Sequence, residues 1–181
     1  MQDVKEQFIE LWKVSGKERI FKVCGTSMRP LILDTDNLGV IPIRNAEELR
    51  IGDIALFQGT AGMVAHRIVG NFSKDNCTYL YEKGDNTVVL PTIISGDKIV
   101  GKVVRIYRPG NTIDLTCSLW LFTNRSAGYY WYYLNAVFKL FSASKKKLFG
   151  SRKFPLLSSA YSKIYLFLSA LPNRMFRRNN R

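Results

Sequence analysis

Six short hydrophobic runs, separated by turn residues, constrain the fold of this chain more than any other feature of its sequence. The sequences between the runs, such as QGTAG, SKDN, KGDN and SGDK, are typical of turns. Short strands at this spacing predict a compact, coiled antiparallel β domain of about 90 residues. The six runs cover residues 19–24, 37–43, 53–58, 63–70, 78–84 and 99–108.

Helical patterns flank the six runs. Phe8, Leu11 and Trp12 mark one face of a short amphipathic helix at the N-terminus, which we expect to pack on the β body. Pro109 and Gly110 predict the end of the last strand. The chain is thus mainly β (α+β), and it divides into an N-terminal helix (1–18), a β domain (19–114) and a helical extension (115–181).

The extension differs sharply from the rest of the chain in charge. Residues 1–114 contain all 14 Asp and Glu residues and 15 of the 27 Lys and Arg residues, so residues 115–181 carry 12 bases and no acid. This imbalance predicts an anionic partner. Aromatic residues interleaved with the bases favour an anionic membrane surface and disfavour nucleic acid. The alternative is that the extension packs on the β body and its lysines are only solvated.

Two helices are expected in the extension, over about 129–142 and 157–171, and neither is long and apolar enough to span a bilayer. The N-terminal sequence MQDVKEQFIELWKV lacks the basic and apolar regions of a signal peptide. Cys24, Cys77 and Cys117 cannot all pair, which favours free thiols. With one histidine in the chain, no Cys/His zinc cluster is expected, nor any metal or cofactor. We therefore expect a cytoplasmic or peripherally membrane-associated protein.

One serine stands in a sequence that suggests chemistry. The motifs GTSMRPLI, IGDIALF, AHRIVG, KGDNT and IVGKVVRI follow one another over about residues 20–106. In this order and spacing they resemble the type I signal peptidase family. In that family a Ser-Met dipeptide before a proline presents the nucleophile, and a later strand carries the general base. The resemblance implies the β fold of that family and makes Ser27 the nucleophile.

The base position separates two branches of that family. The sequence VAHRIVG has a histidine there, so it resembles the archaeal and endoplasmic-reticulum branch, which implies that His66 is the base. Histidine suits the activation of a serine hydroxyl at neutral pH, and a carboxylate commonly orients the imidazole. Asp85 of KGDN is the first candidate for that carboxylate and Asp97 the second. Asp53 is expected to shape the turn into its strand.

Three departures from the family pattern stand out. The chain has Pro91 where a further acid usually follows the GDN turn. It has Gly25 where many members carry a serine that helps to hold the oxyanion, although the backbone N–H of Ser27 can still donate. From this N-terminus we also expect no membrane anchor of the kind that most relatives carry, and this expectation favours maturation of a dedicated precursor. Met28 and Pro30 are expected to pack and to turn the chain.

The function expected from the resemblance is a serine endopeptidase that cleaves a leader or signal-like segment of a precursor peptide or protein, bound in extended form. A self-cleaving repressor of the same fold fits poorly, because that branch uses a lysine base and an N-terminal DNA-binding domain. A different class is a non-catalytic module that binds a leader peptide or a membrane surface. Gly25 and the missing second acid favour the module, whereas the presence of both Ser27 and His66 favours the enzyme.

Overall fold

The computed structural model describes residues 2–60, 62–87, 89–149, 163–164 and 167–168. Within this part of the chain a β-sheet is flanked by helices near both ends of the sequence. The helices with defined bounds are α1 (Gln2–Ser15) and α2 (Ser118–Phe149), and 3-10 turns cover Ala46–Glu48 and Gly96–Lys98. The strands are β1 (Arg19–Lys22), β2 (Asn37–Pro42), β3 (Ile54–Gly59), β4 (Gly62–Lys74), β5 (Cys77–Lys83), β6 (Thr92–Ser95), β7 (Ile99–Arg108) and β8 (Asn111–Asp114).

The strands form one antiparallel sheet in the order β1-β2-β7-β3-β4-β5-β6, and β8 also pairs with β7. Register shifts interrupt the pairing between Gly39 and Val40 in β2 and between Leu56 and Phe57 in β3. A third shift lies between Ile68 and Gly70 in β4. An irregularity of this kind bends a strand and increases its twist, so the long strands coil. The prediction of a mainly antiparallel β fold, with a short helix before it and a helix after it in the sequence, is confirmed.

Side-chain alternation divides the hydrophobic core between the two faces of the sheet. On β4, Ile68 packs in one cluster with Leu80 and Phe57. Its neighbour Val69 packs in another cluster, with Trp131 of α2. Successive residues of a strand point to opposite faces. Helix α2 therefore covers the face of β4 and β5 that carries Val69. Ile68 points to the opposite face, away from α2.

The N-terminal helix meets the body mainly through one of its three predicted contact residues. Trp12 is only 2 % exposed, whereas Phe8 and Leu11 are 50 % and 72 % exposed. The indole N–H of Trp12 donates to the carbonyl oxygen of Lys17 at 2.6 Å, and the ring stacks at an angle on Phe21. The expectation that Leu11 packs on the body is wrong. Phe8 is half-exposed and contacts β1 through Arg19, whose guanidinium carbon lies 4.1 Å from the Phe8 ring centroid.

Each of the six runs forms a strand, but two further strands were not predicted. Strand β7 ends at Arg108, as Pro109 and Gly110 predict, but it is not the last strand. These two residues form a tight turn into β8, and Gly110 has a φ of +76° that suits glycine. Strand β6 pairs with β5 over Thr92–Ser95. Both missed strands have four residues. Between β2 and β3 a 3-10 turn covers Ala46–Glu48 and is capped by Asn45.

Helix α2 begins at Ser118, eleven residues before the predicted start at 129, and ends at Phe149. The predicted helix over 157–171 lies mostly outside the described residues, of which 163–164 and 167–168 are helical. Among the residues that the structure describes, we find no helix with the length and apolar character needed to cross a membrane.

Candidate active site

Ser27 lies in the turn after β1, and the loop that follows β5 holds this turn in place. The backbone N–H of Asn86 donates to the carbonyl oxygen of Ser27 at 2.7 Å, and its side-chain amide donates to the carbonyl oxygen of Thr26 at 3.1 Å. Met28 anchors the other side of the turn, because its side chain is buried in the core. Asn86 of the GDN sequence thus positions the serine turn by two hydrogen bonds to the backbone carbonyl oxygens of that turn.

His66 on β4 brings a base to this serine. Its Nε2 lies 2.9 Å from Ser27 Oγ, and its Nδ1 contacts a carboxylate oxygen of Glu82 on β5. Because an ionised carboxylate only accepts hydrogen bonds, Nδ1 carries the proton and Nε2 is the acceptor that faces the serine hydroxyl. The two residues come together across 39 positions of sequence, and the arrangement is that of a nucleophile beside a general base.

Glu82 is the acidic partner of His66, and our sequence reasoning did not identify it. One of its carboxylate oxygens accepts from His66, and the other accepts from the hydroxyl of Thr92 on β6. Burial alone would raise the pKa of Glu82, but the hydrogen bonds from His66 and Thr92 outweigh burial and leave that pKa below its ordinary value. Glu82 is therefore ionised at neutral pH, as a group that orients an imidazole must be.

Asp85, the predicted orienting acid, has a different partner. Its two carboxylate oxygens accept from Nε and Nη2 of Arg67, at 2.8 and 2.7 Å. Arg67 also donates through Nη1 to Asn124 of α2 and to the carbonyl oxygen of Gly52. Both charged side chains are fully buried. The expectation that Asp85 orients His66 is wrong: Asp85 ties the GDN turn to β4 and α2 through a bidentate ion pair.

The other acids of the sequence analysis lie apart from His66 in their contacts. Asp97 is exposed in the 3-10 turn, where Ser95 lowers the pKa of its carboxyl by a hydrogen bond. Asp53 accepts from the backbone N–H of Arg50 and forms ion pairs with Lys102 and Arg125. The prediction that Asp53 shapes the turn into its strand is confirmed.

Two glycines lie next to Ser27 and His66, one beside open space and one in close contact with both residues. Gly25 has a φ of +118°, and a Cβ built on it meets no atom within 4 Å, so the space beside the serine turn is open. Gly84 is crowded, because a Cβ there would lie 2.9 Å from the carbonyl oxygen of Ser27 and 3.1 Å from His66 Nε2. No hydrogen bond to a described residue occupies the backbone N–H of Ser27. That N–H is available to an incoming carbonyl oxygen.

A buried lysine holds the far side of the same loop. Lys83 Nζ donates to the carbonyl oxygens of Thr87 and Val89, at 2.6 and 2.9 Å, and lies 4.2 Å from the ring centroid of Trp131. Burial lowers the pKa of Lys83 from 10.5 to about 8, against the opposing charges of Asp85 and Glu82. The ammonium group therefore loses its proton far more readily in the folded protein than in the unfolded chain.

This shift predicts a measurable pH dependence of stability. Between pH 8 and pH 10.5 the unfolded chain keeps the Lys83 proton that the folded protein releases, so the free energy of unfolding gains a contribution that rises with pH. In Lys83→Met this contribution is absent. We expect the wild type to gain about 1–3 kcal/mol on the variant between about pH 7 and about pH 10. Denaturant titrations at both pH values measure the gain, with the exposed Lys74→Met as control; an equal difference at both pH values would contradict it.

A pocket of about 560 Å³ lies between the sheet and helix α2. It is lined by Val69, Tyr81 and Leu90 on one side and by Tyr132 and Phe138 of α2 on the other. Neither Ser27 nor His66 lines it. The pocket therefore lies on the α2 face of the sheet, and the serine site is not part of it.

The three cysteines of the chain form no disulfide. Cys24, Cys77 and Cys117 are unpaired and exposed, so the prediction of free thiols is confirmed. Within the described ranges no group of three His, Cys, Asp or Glu residues is placed to hold a metal ion.

Comparison with known proteins adds no family to this geometry. No protein-family model matches the chain, and no curated protein matches it either.

Proposed function

We propose that this protein is a serine endopeptidase of the signal-peptidase type, which cleaves a leader or signal-like segment of a precursor. The observation that carries the proposal is the line of contacts from Ser27 Oγ to His66 Nε2, at 2.9 Å, and from His66 Nδ1 to Glu82. Nucleophile, base and orienting acid come from three separate elements of the fold, and each has the hydrogen-bonding role that acyl transfer requires.

The proposed reaction uses these groups in sequence. Ser27 Oγ attacks the peptide carbonyl carbon while His66 Nε2 takes the hydroxyl proton, and Glu82 stabilises the imidazolium that forms. The backbone N–H of Ser27 donates to the oxyanion. His66 then gives its proton to the leaving amine as the C–N bond breaks. A water, deprotonated by His66, attacks the ester carbon, and the proton returns to Ser27 Oγ as the acid is released. These steps use no metal or cofactor.

The substrate proposed is an extended precursor segment with small residues near the cleaved bond, as the resemblance to signal peptidases implies. The open space beside Gly25 supports this choice, because a peptide backbone can approach the serine closely there. A serine at this position would add an oxyanion donor. Its replacement by Gly25 also favours the competing hypothesis, a non-catalytic module that holds a leader peptide without cleaving it.

A covalent probe separates the two functions. We expect a fluorophosphonate that targets activated serines to label Ser27, because His66 stands ready to accept its proton. Mass spectrometry of the digested protein locates the label, and exposed Ser73 on β4 is the internal control. In parallel, a panel of precursor peptides rich in small residues is incubated with the protein and examined for products. Peptides that bind but stay intact, with Ser27 unlabelled, would support the module and refute the peptidase.

A further inference from the structure

Helix α2 leaves an apolar stripe uncovered from Leu119 to Leu140. The stripe residues are 46 % to 70 % exposed, and their spacing of three, four or seven positions places them on one face of the helix. Over the 21 positions from first to last, at about 1.5 Å per residue, the stripe is about 32 Å long. It consists of Leu119, Phe122, Tyr129, Tyr133, Val137 and Leu140.

The opposite face of α2 is the one that packs on the sheet. It buries Trp131, Leu134 and Phe138 against β4 and β5, and it also carries the polar Asn124, which bonds Arg67. The stripe is therefore not a part of the core that happens to be half-covered. An apolar patch of this length, exposed on the protein surface, is typical of an interaction site. Ile164 and Phe167 are further exposed apolar residues in the described part of the extension.

We propose that this stripe lies on an anionic membrane surface, with α2 parallel to the bilayer plane. Charge selects this occupant, because residues 115–181 carry 12 bases and no acid. The same charge opposes a second copy of the chain, whose own extension would be equally cationic. Tyrosines with aliphatic and phenylalanine side chains, followed by a run of lysines, have the composition of a helix that sits at a membrane–water interface.

The position of α2 then fixes how the serine site stands relative to the lipid. Arg67 points to the α2 face of β4, where it bonds Asn124, and its neighbour His66 points to the opposite face. With the stripe on the bilayer, β4 and β5 lie between the lipid and His66. Membrane binding therefore leaves Ser27 open to the aqueous side, and this inference does not depend on whether Ser27 is catalytic.

Two matched double variants test the stripe. Phe122→Gln with Tyr133→Gln removes two stripe residues, and Leu121→Gln with Tyr132→Gln changes exposed neighbours that point about 100° away around the helix. Binding is measured by co-sedimentation of the full chain with phosphatidylcholine vesicles, with and without phosphatidylglycerol. We expect the wild type and the control variant to bind the anionic vesicles, less strongly at high salt. The stripe variant should bind at least about tenfold more weakly.

A fluorescence measurement tests the same contact without removing it. The indole introduced by Tyr133→Trp should be quenched by brominated lipids in anionic vesicles, whereas that of Tyr132→Trp should not. Equal quenching at both positions, or equal binding of both double variants, would overturn the proposal. So would a concentration-dependent dimer without lipid that the stripe variant abolishes, because a second copy would then be the occupant.

Discussion

Ser27→Ala and His66→Ala are each expected to lower kcat/KM for precursor cleavage by at least about 10³-fold. Ser27 supplies the only atom that bonds the substrate in the proposed reaction, and His66 Nε2, 2.9 Å away, is the acceptor for its proton. Loss of either leaves an isolated partner that cannot act alone. Progress curves with a cleaved peptide from the panel measure the loss for each variant.

The double variant gives the sharper result. Because Ser27 and His66 act as one unit, Ser27→Ala with His66→Ala should be no slower than either single variant. Ser73→Ala, at an exposed position of β4, should retain wild-type activity. Losses that multiply in the double variant would mean that the two residues contribute independently, which is incompatible with the proposed proton transfer. Thermal unfolding of each variant checks that the fold is unchanged.

Much of the fold is readable from the sequence because local signals and tertiary structure agree. Each of the six runs is an apolar segment between turn residues, and each forms a strand. The missed strands, β6 and β8, have four residues each and begin with Thr92 and Asn111. Each is too short to show a clear alternation, and each pairs with a longer neighbour, β5 or β7.

Helix α2 was shortened in the prediction for a related reason. Asn124 and Arg125 interrupt its apolar pattern, but both are used inward, where Asn124 bonds Arg67 and Arg125 bonds the carbonyl oxygen of Ile51. These two polar residues thus contact the body together with buried aromatic residues of the helix, whereas several of its exposed residues are aromatic. A pattern that assumes polar residues face solvent cannot recover this arrangement.

The serine and the histidine of the site were predicted from the sequence, but the acidic partner of the histidine was not. The motifs single out Ser27 and His66, and the structure brings these two side chains together. The choice of Asp85 as the orienting acid was wrong, and Glu82 was not considered. That choice followed motif position, whereas the contact with His66 depends on the register of β4 with β5 and on the shift between Ile68 and Gly70. One signal was present in the sequence. In TYLYEK, Glu82 follows Leu80 by two positions, so both side chains point to the same face of the strand, opposite Tyr81 and Lys83.

The two acids should therefore respond to mutation in opposite ways. Asp85→Asn removes the charge that pairs with Arg67 in a site where both side chains are fully buried. An uncompensated guanidinium then remains among Gly52, Asn124 and the GDN turn, so we expect the free energy of unfolding to fall by about 3–5 kcal/mol. Urea denaturation monitored by tryptophan fluorescence measures this loss.

Glu82→Gln should behave differently, because Gln can still accept a hydrogen bond from Thr92 while it ceases to stabilise an imidazolium at His66. We expect a change of about 1 kcal/mol or less in stability and a loss of about 10²–10⁴-fold in kcat. If Asp85→Asn instead lost activity with its stability intact, and Glu82→Gln stayed fully active, the orienting acid would be Asp85 after all. The paired outcome is decisive because both substitutions exchange one carboxylate for an amide of the same size.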